Sequence, residues 1–200
     1  MDHRPLIVHF DVPNHPEPID LVREFAFRLR DEFGAAAGEH YLTPSDEAGC
    51  VLVRVALPRR MPAYQRALWA LVKVDLWCLR AARLAGQPIR PIYQSVCYQR
   101  ERAGQEVWRS SKALSLRGIG DCEDLACARV AERLSVGDYC RPAIQVQRKP
   151  GGGTLYHVLI QNVNETTEDP SALLGMDFGA KDGPDRTVAR CWRSPVPPCE

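Results

Sequence analysis

The chain has 200 residues, with 26 Lys and Arg against 25 Asp and Glu and a formal net charge of +1. That length buries a full core without metal or disulfide support. The near-neutral balance excludes the overall basic field that would mark a nucleic-acid binder or an acidic-membrane binder, and clusters such as Arg59-Arg60 and Arg100-Glu101-Arg102 read as solvated surface.

Eight cysteines are spread along the chain with no CxxC pair, which argues against a zinc knuckle or a thioredoxin-type site. Met1 to Asp11 has no long apolar h-region, and no run reaches the ~18 apolar residues of a membrane span. The expectation is a protein of the reducing cytoplasm, not a membrane protein, with most thiols free. Cys78 and Cys127 fall within apolar helical patterns and read as small buried hydrophobes.

In chain order, Pro5 to Val12 is β-prone. Pro18 then opens a helix with Leu21, Val22, Phe25, Leu29 and Phe33 on one face, stopped by Gly34. Cys50 to Leu57 is again β-prone. This β-α-β order predicts that residues 1–58 form a small N-terminal layer appended to a main domain over 59–176, with 177–200 an irregular tail. His3, His9, His15 and His40 lack metal-ligand spacing.

Pro62 and Gly86 bracket the longest helix, whose only polar stripe is Arg66, Lys73 and Arg80; Asp75 lies away from that stripe and needs a partner once covered. Residues 87–117 read as loop with a short helix near Gln105 to Ser111. A helix rich in small residues follows from Cys122 to Gly137, with Ala126, Cys127, Val130, Ala131 and Leu134 on one side. Ala143 to Gln147 and Thr154 to Gln161 are strands joined by a glycine-rich turn at 149–153, and Glu165 to Asp169 is a third strand stopping at Pro170.

The chemistry concentrates at Gly118-Ile119-Gly120-Asp121-Cys122-Glu123-Asp124-Leu125-Ala126, a glycine-bearing turn that runs into a helix and puts a cysteine in its first turn. The positive end of the helix dipole favours thiolate there. A thiol acyl-transfer site also needs a base and a group that orients the base, and Cys122, His157 and Asp169 supply them in order. A three-residue turn at Asn162 to Asn164 sets His157 opposite Asp169 on one face; a tighter turn at Asn164-Glu165 sets Asp169 opposite Ile160 on the other. Structural readings compete at each position. Asp121 is also an N-cap with Asp124 as its capping-box partner, His157 a half-buried strand aromatic, and Asp169 a turn former or the cap of a helix from Ser171 to Leu174. Asp121, Glu123 and Asp124 should raise the Cys122 pKa. They can cap the helix, pair with arginines such as Arg117, or hold a hard cation such as calcium.

At these residues the sequence resembles the transglutaminase-like cysteine peptidases of bacteria and their phages. The resemblance rests on Glu106-Val107-Trp108, on Gly118 to Ala126, on Tyr156-His157-Val158 and on Glu168-Asp169-Pro170-Ser171, and covers about residues 93–176. It implies an α+β, papain-like or transglutaminase-like fold, with the nucleophile helix packed on an antiparallel sheet and a triad of Cys122, His157 and Asp169. It implies no required cofactor, with calcium at Asp121, Glu123 and Asp124 as an option. The implied activity is thiol-dependent acyl transfer on a protein or peptide amide, by hydrolysis as a cysteine peptidase or amidase, or by protein crosslinking as a transglutaminase. The run from Glu168 to Met176 looks like phage-encoded members, so the alternative is a virion or assembly protein that docks a partner through residues 1–58. Trp108 lines the cleft or packs in the core.

Overall fold

The computed structural model describes residues 5–38, 40–101, 106–148 and 154–175. In order come β1 (Leu6–Pro13), α1 (Pro16–Phe33), β2 (His40–Pro44), β3 (Cys50–Leu57), α2 (Met61–Leu84), α3 (Ile92–Ser95), β4 (Cys97–Tyr98) and β5 (Val107–Arg109). There follow α4 (Ser111–Arg117), β6 (Ile119–Gly120), α5 (Cys122–Leu134), β7 (Cys140–Arg148), β8 (Thr154–Asn162), β9 (Thr167–Glu168) and α6 (Pro170–Leu173). The class is α+β. The expected turn at 149–153 and tail at 177–200 lie outside the described residues.

Helix α1 starts at Pro16 rather than at Pro18, because the His15 side chain accepts from the Glu17 N–H and so supplies the cap. Helix α2 follows its sequence signals. Ala63, Ala67, Leu68, Leu71, Val72, Val74 and Cys78 are buried while Arg66, Lys73 and Arg80 are exposed. Asp75 is buried too, and accepts the N–H of Ser111 at the start of α4; burial pushes its carboxyl up to about 8. The short helix expected near Gln105 to Ser111 lies later. Val107 to Arg109 instead form β5, and Ser110, whose hydroxyl accepts from the Ala113 N–H, caps α4.

Strands run in the order β2-β3-β1-β5, with β1 antiparallel to β3 and parallel to β5, where Phe10 stands beside Trp108. Residues 1–58 therefore share a sheet with a strand beyond them. They also share one apolar core: Val8, Phe10, Val22, Leu29, Val53 and Val55 belong to the same cluster as Leu71, Trp108, Ala126, Cys127, Val130, Val158 and Ile160. Packing does not break near residue 58.

Helix α5 packs between α2 and a second sheet, β7-β8-β9, which is antiparallel throughout. The small side chains of α5 permit this. Cys127 comes close enough to α2 for its thiol to donate to the Leu68 carbonyl at 3.4 Å. Cys50, Cys78, Cys122, Cys127 and Cys140 are free thiols. Among the described residues no helix is long and apolar enough to cross a membrane.

Between α1 and β2 the chain turns at Gly38, φ +70°, where an added Cβ would lie 1.8 Å from the Ala26 carbonyl oxygen. Gly38→Ala is expected to destabilise the protein by about 2 kcal/mol or more, since neither the backbone angle nor the helix can give way. Urea denaturation at equilibrium measures it; an unchanged midpoint refutes the packing at this turn.

Candidate active site

Gly118, at φ +73°, ends α4 in the left-handed conformation, and Gly120 leads into α5 with no room for a side chain. A Cβ at Gly120 would meet Leu114 Cδ2 at 2.4 Å and Asp124 Cβ at 3.1 Å. Asp121 is the N-cap of α5 and forms a capping box with Asp124: Asp121 Oδ1 accepts the Asp124 N–H at 3.5 Å, and Asp124 Oδ2 accepts the Asp121 N–H at 3.3 Å. The capping reading of these acids holds. Cys122 is the first residue of the helix proper.

Asp124 is fully buried and also takes the Arg109 backbone N–H on Oδ1 at 2.6 Å and the Arg109 guanidinium on Oδ2 at 3.3 Å. The same guanidinium nitrogen reaches Glu101 at 2.8 Å. The arginine that meets the acids is therefore Arg109. Arg117 pairs with Glu47 instead, at 3.3 Å. The calcium expectation does not fit this geometry. Asp124 has donors on both oxygens, Asp121 caps the helix, and Glu123 turns to the thiol. Among the described residues no three His, Cys, Asp or Glu side chains are arranged to hold a metal ion.

His157 is buried on β8, and its Nε2 lies 2.9 Å from Asp169 Oδ2. The expected pair forms, but in neither expected register. Asn162 N–H bonds to the Thr166 carbonyl, so the turn is Val163 to Glu165, with Glu165 at φ 65° and Ile160 paired with Glu168. Side chains set the turn: Asn164 Oδ1 accepts from the Thr166 hydroxyl at 2.6 Å, and Asn162 Nδ2 donates to that hydroxyl at 2.9 Å. In this register Asp169 falls opposite Leu159, on the His157 face and one diagonal step away. It then leaves the sheet as N-cap of α6, and its Oδ1 accepts the N–H groups of Ser171 and Ala172 at 3.0 and 3.2 Å. Asp169 is thus both helix cap and histidine partner, one role per oxygen.

The next step of the same ladder would set Val158 against Pro170, which already belongs to α6. The Val158 backbone N–H faces the Cys122 sulfur instead and lowers its pKa. The end of β9 thereby opens a berth for the thiol one residue along from His157. The thiol itself donates to Glu123 Oε2 at 3.0 Å. Burial, then the charges of Glu123 and Asp121, hold the Cys122 pKa well above the usual thiol range, and the Val158 N–H pulls it down.

Beside the thiol lies a cavity of about 350 Å³ lined by Tyr64, Trp108, Tyr156, Glu106, Glu123 and Arg59, among others. The Tyr64 and Tyr156 rings are stacked, 5.8 Å between centroids. Burial and the charges of Glu123 and Glu101 push Glu106 up to about 7. The Trp108 indole N–H is buried; it sits beside Glu106 and lowers that carboxyl's pKa, but closes no hydrogen bond that meets standard geometry. Trp108 thus does both things expected of it, packing on Phe10 and lining the cleft. Arg109, Glu101, Tyr64 and Tyr156 were not legible as site residues.

The chain matches no protein-family model, no curated protein and no solved structure. The reading of the site therefore rests on its own geometry.

Glu123→Gln removes a negative acceptor from the thiol and should lower its pKa. Cys122 alkylation at neutral pH is expected to speed up by roughly tenfold per unit of downward shift; an unchanged or slower rate in the variant refutes the Glu123 contact. Asp169→Asn keeps a good N-cap but loses the carboxylate that orients the His157 ring. Its melting temperature should stay near that of the wild type while Cys122 labelling slows by about tenfold or more, whereas Asp169→Ala should also lose about 1 kcal/mol of stability. Wild-type labelling in Asp169→Asn would leave Asp169 a cap only.

Proposed function

We propose that this protein is a thiol-dependent acyl-transfer enzyme acting on a protein or peptide amide, a cysteine peptidase or amidase built on a papain-like, transglutaminase-like fold. The observation that carries the reading is the 2.9 Å pairing of His157 Nε2 with Asp169, made one residue along β8 from Val158, whose backbone N–H faces the Cys122 sulfur. A helix-borne cysteine on an antiparallel sheet whose central strand supplies the base is consistent with that fold.

With Nε2 engaged by Asp169, Nδ1 takes the thiol proton as the substrate enters. The thiolate attacks the amide carbonyl carbon, forming a C–S bond. The imidazolium then protonates the departing amine as the C–N bond breaks, leaving a thioester on Cys122. The backbone N–H of Cys122, in the first turn of α5 where helix N–H groups lack intrahelical partners, and the buried, unpartnered indole N–H of Trp108 supply donors for the oxyanion. Water, deprotonated by His157, releases the acid; a lysine amine in its place gives the crosslinked product.

A second reading has one observation in its favour. Tyr41 and Leu42 are exposed on β2, at the edge of its sheet, next to exposed Phe27, whose ring meets His40. That surface lies within residues 1–58 and suits docking to a virion or assembly partner.

The deciding experiment incubates the protein with a mixed peptide pool and a fluorescent primary amine, quenches in acid, and maps thioester adducts by mass spectrometry. Catalysis predicts an acyl adduct on Cys122 that His157→Ala reduces about 100-fold or more; amine incorporation then separates transamidation from hydrolysis. A folded wild type without adduct, or an equal adduct in His157→Ala, overturns the enzyme reading in favour of docking.

A further inference from the structure

The acids behind Cys122 need positive charge, and the fold supplies it from within. Glu101, Asp121 and Asp124 are all largely buried; burial and then the charges of Glu123 and Glu101 push the Asp121 and Asp124 carboxyls up, while the Arg109 guanidinium pulls that of Asp124 down. Charges so placed are tolerated only when paired. Arg109 projects from β5 into the group. Its Nη1 lies 2.8 Å from Glu101 and 3.3 Å from Asp124, and its backbone N–H closes a 2.6 Å bond to the other Asp124 oxygen. Glu101 is held in turn by the Val107 N–H at 2.9 Å. Asp124 then grips the Asp121 N–H, so the contact passes directly to the turn that sets Cys122.

We propose that the Arg109 guanidinium is the built-in cation of this acidic cluster, taking the place that a bound divalent ion would otherwise fill, so that the cysteine-bearing helix start is held without metal. Arg109 is a positioning residue, acting on Cys122 through Asp124 and Asp121. The surroundings agree. The depression of about 310 Å³ that opens onto the cluster is lined by Arg100, Arg109 and Arg117 against the single acid Glu101, with Gln99, Ile119 and Gly120 completing it. Such a mouth repels a free cation. Across the sheet, Asp11 stands beside Arg109 in the β1–β5 register and accepts the Ser45 hydroxyl at 2.8 Å; the hydrogen bonds of the guanidinium go to Glu101, Asp124 and the Val107 carbonyl, the last at 3.1 Å.

The inference concerns the function proposed above only in so far as Cys122 is the nucleophile. Thermal melting does not involve the thiol, so failure of this inference and failure of that function are distinguishable. Wild type, Arg109→Lys and Arg109→Met are melted in EDTA and in millimolar calcium, and Cys122 alkylation is followed in the same buffers. The wild type should melt at the same temperature and label at the same rate, within about twofold, in both. Arg109→Met should melt on the order of 10 °C lower in EDTA, for loss of a buried ion-pair partner, and calcium should restore much of that loss. Arg109→Lys, keeping a point charge, should lose less and stay indifferent to calcium. If Arg109→Met is insoluble, its refolding yield with and without calcium is the same readout. A wild type stabilised by calcium and weakened by EDTA overturns the inference, as does an Arg109→Met protein that melts like the wild type or that calcium fails to rescue.

Discussion

A carboxylate with no exposed surface sits at the start of α5, and the candidate site depends on how it is held. Asp124 accepts from the Asp121 N–H, from the Arg109 N–H and from the Arg109 side chain, which lie on two different elements. Those bonds tie β5 to the turn before α5, and β5 is in turn the parallel neighbour of β1. The helix start, the N-terminal sheet and the nucleophile are thus fixed by one buried group. A buried ion pair of this kind adds little net stability over an apolar alternative, but it allows few other arrangements once formed.

The second sheet meets this frame through a missing strand step. Strand β9 pairs over two residues only, because Asp169 caps α6 and Pro170 enters the helix. One consequence is an unclaimed backbone N–H on β8, which faces the Cys122 sulfur. The other is that Asp169 can turn one oxygen back to His157. A longer β9 would have covered the berth and kept Asp169 in the ladder. The His157–Asp169 pair, and one residue along β8 the Val158 N–H that faces the Cys122 sulfur, lie where β9 stops.

In this arrangement the thiol donates to Glu123, beside a cavity whose acids, Glu106 and Glu123, repel one another. The helix terminus favours thiolate, yet burial and two carboxylates outweigh it. In the proposed reaction, activation falls to His157 and to a substrate group that neutralises Glu123. A thiol kept neutral is also protected from oxidation, which needs an accessible thiolate.

Much of this was readable from residue order. The apolar spacing of α1 and α2, the glycine stops and the capping pair Asp121 and Asp124 are local or periodic features, and local features are written in adjacent residues. The carboxylate burden on the cysteine was readable for the same reason. What tertiary structure alone decided depends on residues distant in sequence. Arg109 rather than Arg117 meets the acids because β5 adds to β1, a pairing of segments about 100 residues apart. The register of β8 and β9 turned on hydrogen bonds among Asn162, Asn164 and Thr166, where sliding the turn by one residue changes every facing pair. Residues 1–58 read as a separate layer because their pattern is complete in itself; only packing reveals that their sheet and core continue into the rest of the chain.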